Sequence, residues 1–197
     1  MPFLPGCTSL QRLLTRLLAV LLLLAPCGHG RAAVFHYDSG LGVASERSGT
    51  ICLTIANRNL PAGQSVSLVV LTPQQAVAQA EVLRVLPTGC MGEDAANANR
   101  AFYELRLVKG TLPSVAPAIA VVNPVQPLRQ SGNSVVADLD GDHRLEYFRQ
   151  CTSSEGVHLT VWAGKPLTGK RLWHEYFYLG YDVEPNCTDK DVADDLP

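Results

Sequence analysis

Short runs of β-branched and aromatic residues recur along this chain, and Gly, Pro, Asn or Asp separates each run from the next. Runs of this kind are typical of short strands. They span residues 51–55, 66–71, 102–108, 118–122, 135–137, 145–149, 157–162 and 172–179. Residues 72–86 are ambiguous, because their alanines favour a helix while 82–86 favour a strand. No period of 20–50 residues repeats, which leaves solenoids and full propellers without support. We therefore predict a mainly β fold.

The distribution of prolines predicts how the strands are grouped. Four prolines fall within residues 113–129, and prolines at this density favour extended, poorly paired backbone. We predict two small antiparallel β units, barrel-like or sandwich-like, at residues 33–112 and 130–187, joined by this Pro-rich connector. Residues 188–197 hold four aspartates and little apolar material, so we expect a frayed acidic tail.

The first 32 residues have the pattern of a secretory signal peptide. An apolar run at residues 17–25 follows two arginines and precedes several small residues. The run is shorter than the roughly 20 residues that a membrane-spanning helix needs. We expect cleavage after Ala32, export to the periplasm or the medium, and no transmembrane span in the mature chain. Residues 24–27 resemble a bacterial lipobox, so acylation at Cys27 is the alternative.

Removal of the leader changes the composition on which the class of protein depends. The whole chain is 47% apolar, 17% charged and carries a net charge of −2. Residues 1–32 contain three arginines and no acidic residue, so the mature charge becomes −5. A negative chain without a basic stripe predicts no nucleic-acid partner.

Four cysteines remain in the mature chain, and an even number in an exported protein indicates disulfides. They are Cys52, Cys90, Cys151 and Cys187. Three pairings are possible, and the sequence does not choose among them. Sequential pairing would close one loop in each predicted unit. A zinc site is the competing use, but the chain has no CxxC pair.

Acidic residues stand at positions 1, 3, 5 and 9 of a short loop that begins at Asp138. These residues are Asp138, Asp140, Asp142 and Glu146. Ca²⁺ takes six to eight oxygen ligands, and alternate acids in a tight loop can turn several carboxylates inward. Gly141 allows the sharp bend that such a loop needs. We predict a structural calcium site here. The alternative is an Asp-rich turn that caps its own backbone.

The segments around this loop carry a resemblance to a known family. Residues 135–142, 145–148 and 156–162 together resemble one FG-GAP/VCBS-type repeat, over about residues 135–162. The family has a strand, an acidic calcium loop, a strand, a turn and another strand. The resemblance therefore implies Ca²⁺ as the cofactor. It also implies positive φ at His143, where the family usually has Gly.

A second conspicuous block is the aromatic run at residues 172–181. Strand alternation places Trp173, Glu175, Phe177 and Leu179 on one face and His174, Tyr176 and Tyr178 on the other. One face should close the core, and the other suits binding because Tyr is large, rigid and amphipathic. The candidate binding surface comprises Glu155, His158, His174, Tyr176 and Tyr178. The alternative is a central strand packed on both sides.

Catalytic motifs are not visible in the sequence. It contains no GxSxG elbow, no HExxH pair and no Cys-His signature. We therefore predict a non-catalytic binding or cell-envelope accessory protein. Its partner would be a protein or glycan in the envelope or outside the cell, which the residues do not identify. The alternative is a small secreted hydrolase that uses His158 or His174 with Glu155.

Overall fold

A computed structural model describes residues 40–56, 58–71, 75–90, 99–113, 116–154, 156–178 and 184–192. The predicted signal peptide, Cys27 and Glu155 lie outside these ranges. The strands are β1 (Leu41–Arg47), β2 (Thr50–Ala56), β3 (Ser65–Val70), β4 (Ala76–Val85), β5 (Arg100–Lys109), β6 (Ala118–Val122), β7 (Arg129–Ser131), β8 (Ser134–Ala137), β9 (Glu146–Thr152), β10 (Gly156–Ala163) and β11 (Lys170–Tyr178). A one-turn helix, α1, spans Asp189–Val192. The mainly β prediction is confirmed.

The first six strands form a closed antiparallel barrel in the order β1-β2-β5-β4-β3-β6. Strand β6 closes it, because Ile119 pairs with Val43 of β1 on one side and with Val69 of β3 on the other. Aliphatic and small side chains fill the interior, among them Leu53, Leu68 and other residues of all six strands. Closure leaves no unpaired edge among these strands.

The barrel extends beyond the boundary that the prolines suggested. Strand β6 lies within residues 113–129, the expected connector, although residues 118–122 were themselves predicted to be a strand. All five residues of β6 are buried. Ala118, Ala120 and Val122 point into the barrel, whereas Ile119 and Val121 belong to a second core outside it. A strand that is buried on both faces is uniformly apolar.

The last five strands form an antiparallel meander in the order β11-β10-β9-β8-β7. One face of this second sheet packs on the outside of the barrel, where Leu159 and Phe148 meet Ile119 and Val69 in a shared core. Polar contacts also join the two layers. Arg100 of β5 forms a 2.7 Å ion pair with Glu175 of β11. The other face of the sheet is therefore the one that carries the polar and aromatic side chains of β10 and β11.

Two disulfides join cysteines that are sequential in the chain. Cys52 of β2 pairs with Cys90, and Cys151 of β9 pairs with Cys187. The structure thus selects one of the three possible pairings, and these thiols are not available to zinc. The bridges close loops of 38 and 36 residues. Loops of that length correspond to about 3–4 kcal/mol of stabilisation each in the chain-entropy account.

The expected frayed tail is wrong for residues 188–192. Helix α1 packs against the second sheet, and its Asp191 is fully buried. Arg149 of β9 donates to the two carboxylate oxygens of Asp191 at 2.8 and 3.1 Å. The Asp191 carboxylate also accepts from the Thr188 N–H and hydroxyl. A bidentate ion pair with a fully buried carboxylate therefore fixes a segment whose composition alone predicts exposure to solvent.

Among the residues that the structure describes, no helix has the length and apolarity to cross a bilayer.

Candidate functional sites

The acidic loop connects β8 to β9, and its side chains hydrogen-bond its own backbone. Asp138 accepts from the Gly141 N–H at 2.7 Å and from the His143 N–H at 3.1 Å. Glu146 accepts from the Leu139 N–H at 2.6 Å. Gly141 and His143 both have positive φ, of 82° and 67°. The two positive φ values turn the chain sharply enough to bring its first and last acidic residues together.

Three of the four predicted metal ligands come together. One carboxylate oxygen each from Asp138, Asp140 and Glu146 lie within 4.8 Å of one another. Asp138 and Glu146 are buried, with 2% and 1% of their surface exposed. Gln126 holds Asp138 from outside the loop, since its side-chain amide donates to the carboxylate at 3.0 Å. The donor set consists of hard oxygens, which fits calcium.

Asp142, the fourth predicted ligand, is exposed and does not belong to this cluster of three. Its Oδ1 atom accepts from the Arg144 N–H at 2.7 Å, and its Oδ2 lies 4.0 Å from the Arg144 guanidinium. The self-capping contacts that we set against a metal site are thus present at all four acidic residues, because Asp138, Asp140 and Glu146 also accept from N–H groups of the loop. The carboxylates that cluster are therefore also the ones that cap the loop.

The surroundings of Glu146 oppose its ionisation. The pKa of Glu146 is raised to about 7, chiefly by burial and also by the nearby carboxylates of Asp140, Asp142 and Asp138. The hydrogen bond from the Leu139 N–H acts in the other direction. A divalent cation among these oxygens would remove the mutual repulsion and favour the ionised form.

The second candidate site lies on the face of β10 and β11 that points away from the barrel. The predicted alternation of β11 is confirmed for its described residues, because Trp173 and Phe177 pack against the shared core. On the other face, Tyr176 and Tyr178 are 39% and 64% exposed. A tyrosine that is this exposed has apolar area available for contact with a partner. We call His158, His174, Tyr176 and Tyr178 the His/Tyr face.

Two histidines that are 16 residues apart in the chain meet on the His/Tyr face. His158 lies opposite Tyr176 and His174 opposite Thr160 in the β10–β11 register, so the two histidines are diagonal neighbours. Nδ1 of His158 lies 2.9 Å from Nε2 of His174, a hydrogen-bonding distance. The rings are stacked within 5° of parallel, and the Tyr176 ring lies 5.0 Å from the His158 ring. The sequence named both histidines but gave no signal that they pair.

Glu155, the acid of the hydrolase alternative, lies outside the described residues. The hydrolase therefore stays a prediction. What the structure adds is that the two candidate bases bond to each other.

A cleft that the sequence did not indicate lies between the barrel and the β11 edge of the second sheet. It has a volume of about 410 Å³. Its lining includes Thr54, Asn99, Trp173 and the Arg100–Glu175 ion pair. No local pattern could have found it, because its walls come from strands that are distant in the chain.

We compared the chain with protein-family profiles, with curated proteins and with solved structures, and none of the three comparisons finds a match.

Proposed function

We propose that this chain is an exported, non-catalytic binding protein whose acidic loop holds a structural calcium ion. The observation that carries the export proposal is the pair of disulfides, one in the barrel and one in the second sheet. Disulfides persist in oxidising compartments and are rare in the cytosol of mesophiles. The apolar run at residues 17–25 supplies the matching export signal.

Calcium binding is supported by the chemistry of the cluster. Asp138, Asp140 and Glu146 provide hard oxygen donors close to one another, and two of them are shielded from water. Leaving several carboxylates together without a cation is costly. We infer that the ion is structural and acts as in FG-GAP/VCBS-type repeats. It would hold the turn from which β9 and the rest of the meander continue.

Thermal unfolding in calcium and in chelator tests this part of the proposal. We expect calcium to raise the Tm by several degrees, because a ligand that binds only the folded state stabilises it. Asp140→Ala should abolish the shift. Asp142→Ala is the matched control, since Asp142 lies in the same loop but outside the cluster, and should keep most of it. An unchanged midpoint in the wild-type protein would refute the calcium proposal.

We assign the binding role to the His/Tyr face. Its opposite side packs on the barrel, so the strands that carry it are held rigidly. Exposed tyrosines on a rigid surface contribute large contact area at low entropic cost. The partner that we propose is a protein or glycan of the cell envelope.

Co-sedimentation with isolated cell-envelope polysaccharide and with envelope protein fractions tests the assignment. Tyr178→Ala should lower the bound fraction at least about ten-fold if Tyr178 is an interface hot spot. Val108→Ala is the control, because Val108 is an apolar residue of similar exposure, 62%, on the barrel. Equal binding by Tyr178→Ala, Tyr176→Ala and wild-type protein would show that this face is not the binding surface.

A further inference from the structure

A cavity of about 300 Å³ lies beside the hairpin loop that connects β10 to β11, next to α1. Its lining combines the apolar side chains of Trp162 and Leu167 with three basic residues, Lys170, Arg171 and Lys190. None of the described residues that line it is acidic. A cavity of this volume is at the lower end of the range for small-molecule sites, which is roughly 300–1,000 Å³.

The two lysines of this cavity carry positive charge that no described carboxylate neutralises. Nζ of Lys190 donates to the Leu167 carbonyl oxygen, a neutral acceptor, at 3.0 Å. Neither Lys170 nor Lys190 forms an ion pair with a carboxylate of the described residues. The Arg171 guanidinium donates to the Asp191 carbonyl oxygen at 2.9 Å, which holds it beside α1. A cleft that is lined by charges of one sign concentrates ions of the other sign, so this cavity favours an anion.

The loop that forms one wall of the cavity is fixed and locally strained. Leu167 has a φ of 67°, in the left-handed region, and strain of this kind in residues other than Gly clusters at ligand sites. The N–H groups of Thr168 and Gly169 donate to the Lys165 carbonyl oxygen at 3.3 and 2.9 Å. A Cβ atom at Gly169 would collide with the Ala163 carbonyl oxygen, so the turn is closed tightly. The apolar side chain of Leu167 is therefore held at the cavity before any ligand arrives.

We propose that this cavity binds a small organic carboxylate that carries an apolar body. The carboxylate would lie among the cationic groups of Lys170, Arg171 and Lys190, and an arginine can hold it through two parallel hydrogen bonds. The apolar body would pack against Leu167 and against the indole of Trp162, which is almost fully buried and forms a rigid wall. Charge and apolar area thus select the same class of ligand.

The cavity is separate from the sites described above. It shares no lining residue with the acidic cluster, the His/Tyr face or the larger cleft. A carboxylate ligand therefore goes beyond the proposed function, which concerns calcium and an envelope partner. Asp140→Ala and Tyr178→Ala should leave carboxylate binding unchanged, so the proposals can fail independently.

Isothermal titration calorimetry of the full, disulfide-bonded chain with three probes tests the proposal. The probes are phenylacetate, its neutral analogue phenylacetamide, and inorganic phosphate, which has charge but no apolar body. We expect one phenylacetate per chain, bound at least about ten-fold more tightly than either of the other two, because only phenylacetate supplies both a charged head group and an apolar body. Added salt should weaken it, since the cationic groups stand at an open cavity.

Variants of the loop and of α1 locate the bound probe. Lys170→Gln combined with Lys190→Gln should weaken phenylacetate at least about ten-fold, and both side chains are exposed, so the fold should tolerate the change. Lys165→Gln is the matched control, because Lys165 is an exposed lysine of the same loop that does not line the cavity. Leu167→Gly removes apolar wall and relieves the positive φ, so it should weaken phenylacetate in a folded protein. Equal affinity for phenylacetate and phenylacetamide, or equal phenylacetate affinity in the folded double variant and wild-type protein, would overturn the site.

Discussion

Asp191 illustrates how a single residue can reverse an expectation drawn from composition. Burial opposes ionisation of Asp191, but hydrogen bonds from Arg149 and Thr188 outweigh it, so its pKa is lowered. Arg149 is 42 residues away, and the local sequence of an Asp-rich end contains no sign of this partner. The sequence therefore predicted a solvent-exposed tail, whereas the structure places Asp191 in an ion pair with Arg149.

Asp191→Asn should destabilise the protein by about 2–3 kcal/mol at pH 7, because it leaves the half-buried Arg149 guanidinium without its carboxylate partner. Urea unfolding measures the loss. Glu104→Gln is the control, since its partner Arg84 is 72% exposed, and it should cost less than about 1 kcal/mol.

The effect of Asp191→Asn should depend on pH in a defined direction. A lowered carboxyl pKa contributes stability that is present above the unfolded value, about 3.9, and is lost as pH falls through the folded pKa. The difference in unfolding free energy between variant and wild type should therefore shrink in acid. A constant difference down to acidic pH would contradict the role of the ion pair.

In calcium-free protein, Glu146 should make stability depend on pH in the opposite direction. Its pKa in the folded state is raised to about 7, so the folded state holds the proton more tightly than the unfolded state does. Stability therefore falls as the pH rises from the pKa of the unfolded state towards 7. Glu146→Gln removes this cost and keeps an acceptor for the Leu139 N–H. In chelator at pH 8 we expect the variant to be more stable than wild type by on the order of 1–3 kcal/mol.

Calcium should reverse that ranking, because wild type gains the ion and Glu146→Gln loses a ligand. Chemical unfolding in calcium and in chelator provides the comparison. If calcium stabilised both proteins equally, Glu146 would not be a ligand.

The spacing of the acidic residues in the sequence was enough to identify the four candidate ligands of this loop. Only the side-chain positions in the structure show that Asp142 lies outside the cluster formed by the other three.

At the scale of elements, strand β1 is the clearest case that sequence reasoning missed. Five of the seven residues of Leu41–Arg47 are Gly, Ala, Ser, Glu or Arg, which rarely favour strands. Tertiary pairing decides its conformation, because β1 lies between β2 and β6. Gly42 is required there, since a Cβ atom would lie 2.5 Å from the Thr54 carbonyl oxygen.

Gly42→Ala should therefore destabilise the barrel by about 2–3 kcal/mol, as overpacking against backbone does. Gly49→Ala is a useful comparison, because its added Cβ has open space and only its positive φ opposes it. We expect that change to cost about 1 kcal/mol. Thermal unfolding of both variants gives the ranking. A Gly42→Ala protein as stable as wild type would show that β1 and β2 are less closely packed.

The other strands were predictable to different degrees. Runs such as residues 118–122 and 157–162 were recognised because each is buried on both faces and contains three β-branched residues. The short β7 was missed, since its three residues are polar and exposed. Ala76–Val85 is a strand throughout, because pairing with β3 and β5 overrides the helix propensity of its alanines.

At the scale of the whole molecule, the sequence indicated two β units but not how they join. Barrel closure depends on β6 pairing with β1, whose residues are more than 70 positions earlier. The outer side of that closing strand then becomes the floor on which the second sheet packs. One disulfide lies in each layer, and the shared core joins the two layers. Disulfides of this kind persist in oxidising compartments.

We propose that the working protein is exported and carries both bridges. The most direct test of this proposal is the intact mass of the protein recovered from the periplasm or medium of a bacterial host that expresses residues 1–197. We predict the mass of residues 33–197 less four hydrogens, one pair for each disulfide. A mass that begins at an acylated Cys27 would instead support the lipoprotein alternative. Recovery only in the cytosol, with the leader retained and all thiols reduced, would contradict the account.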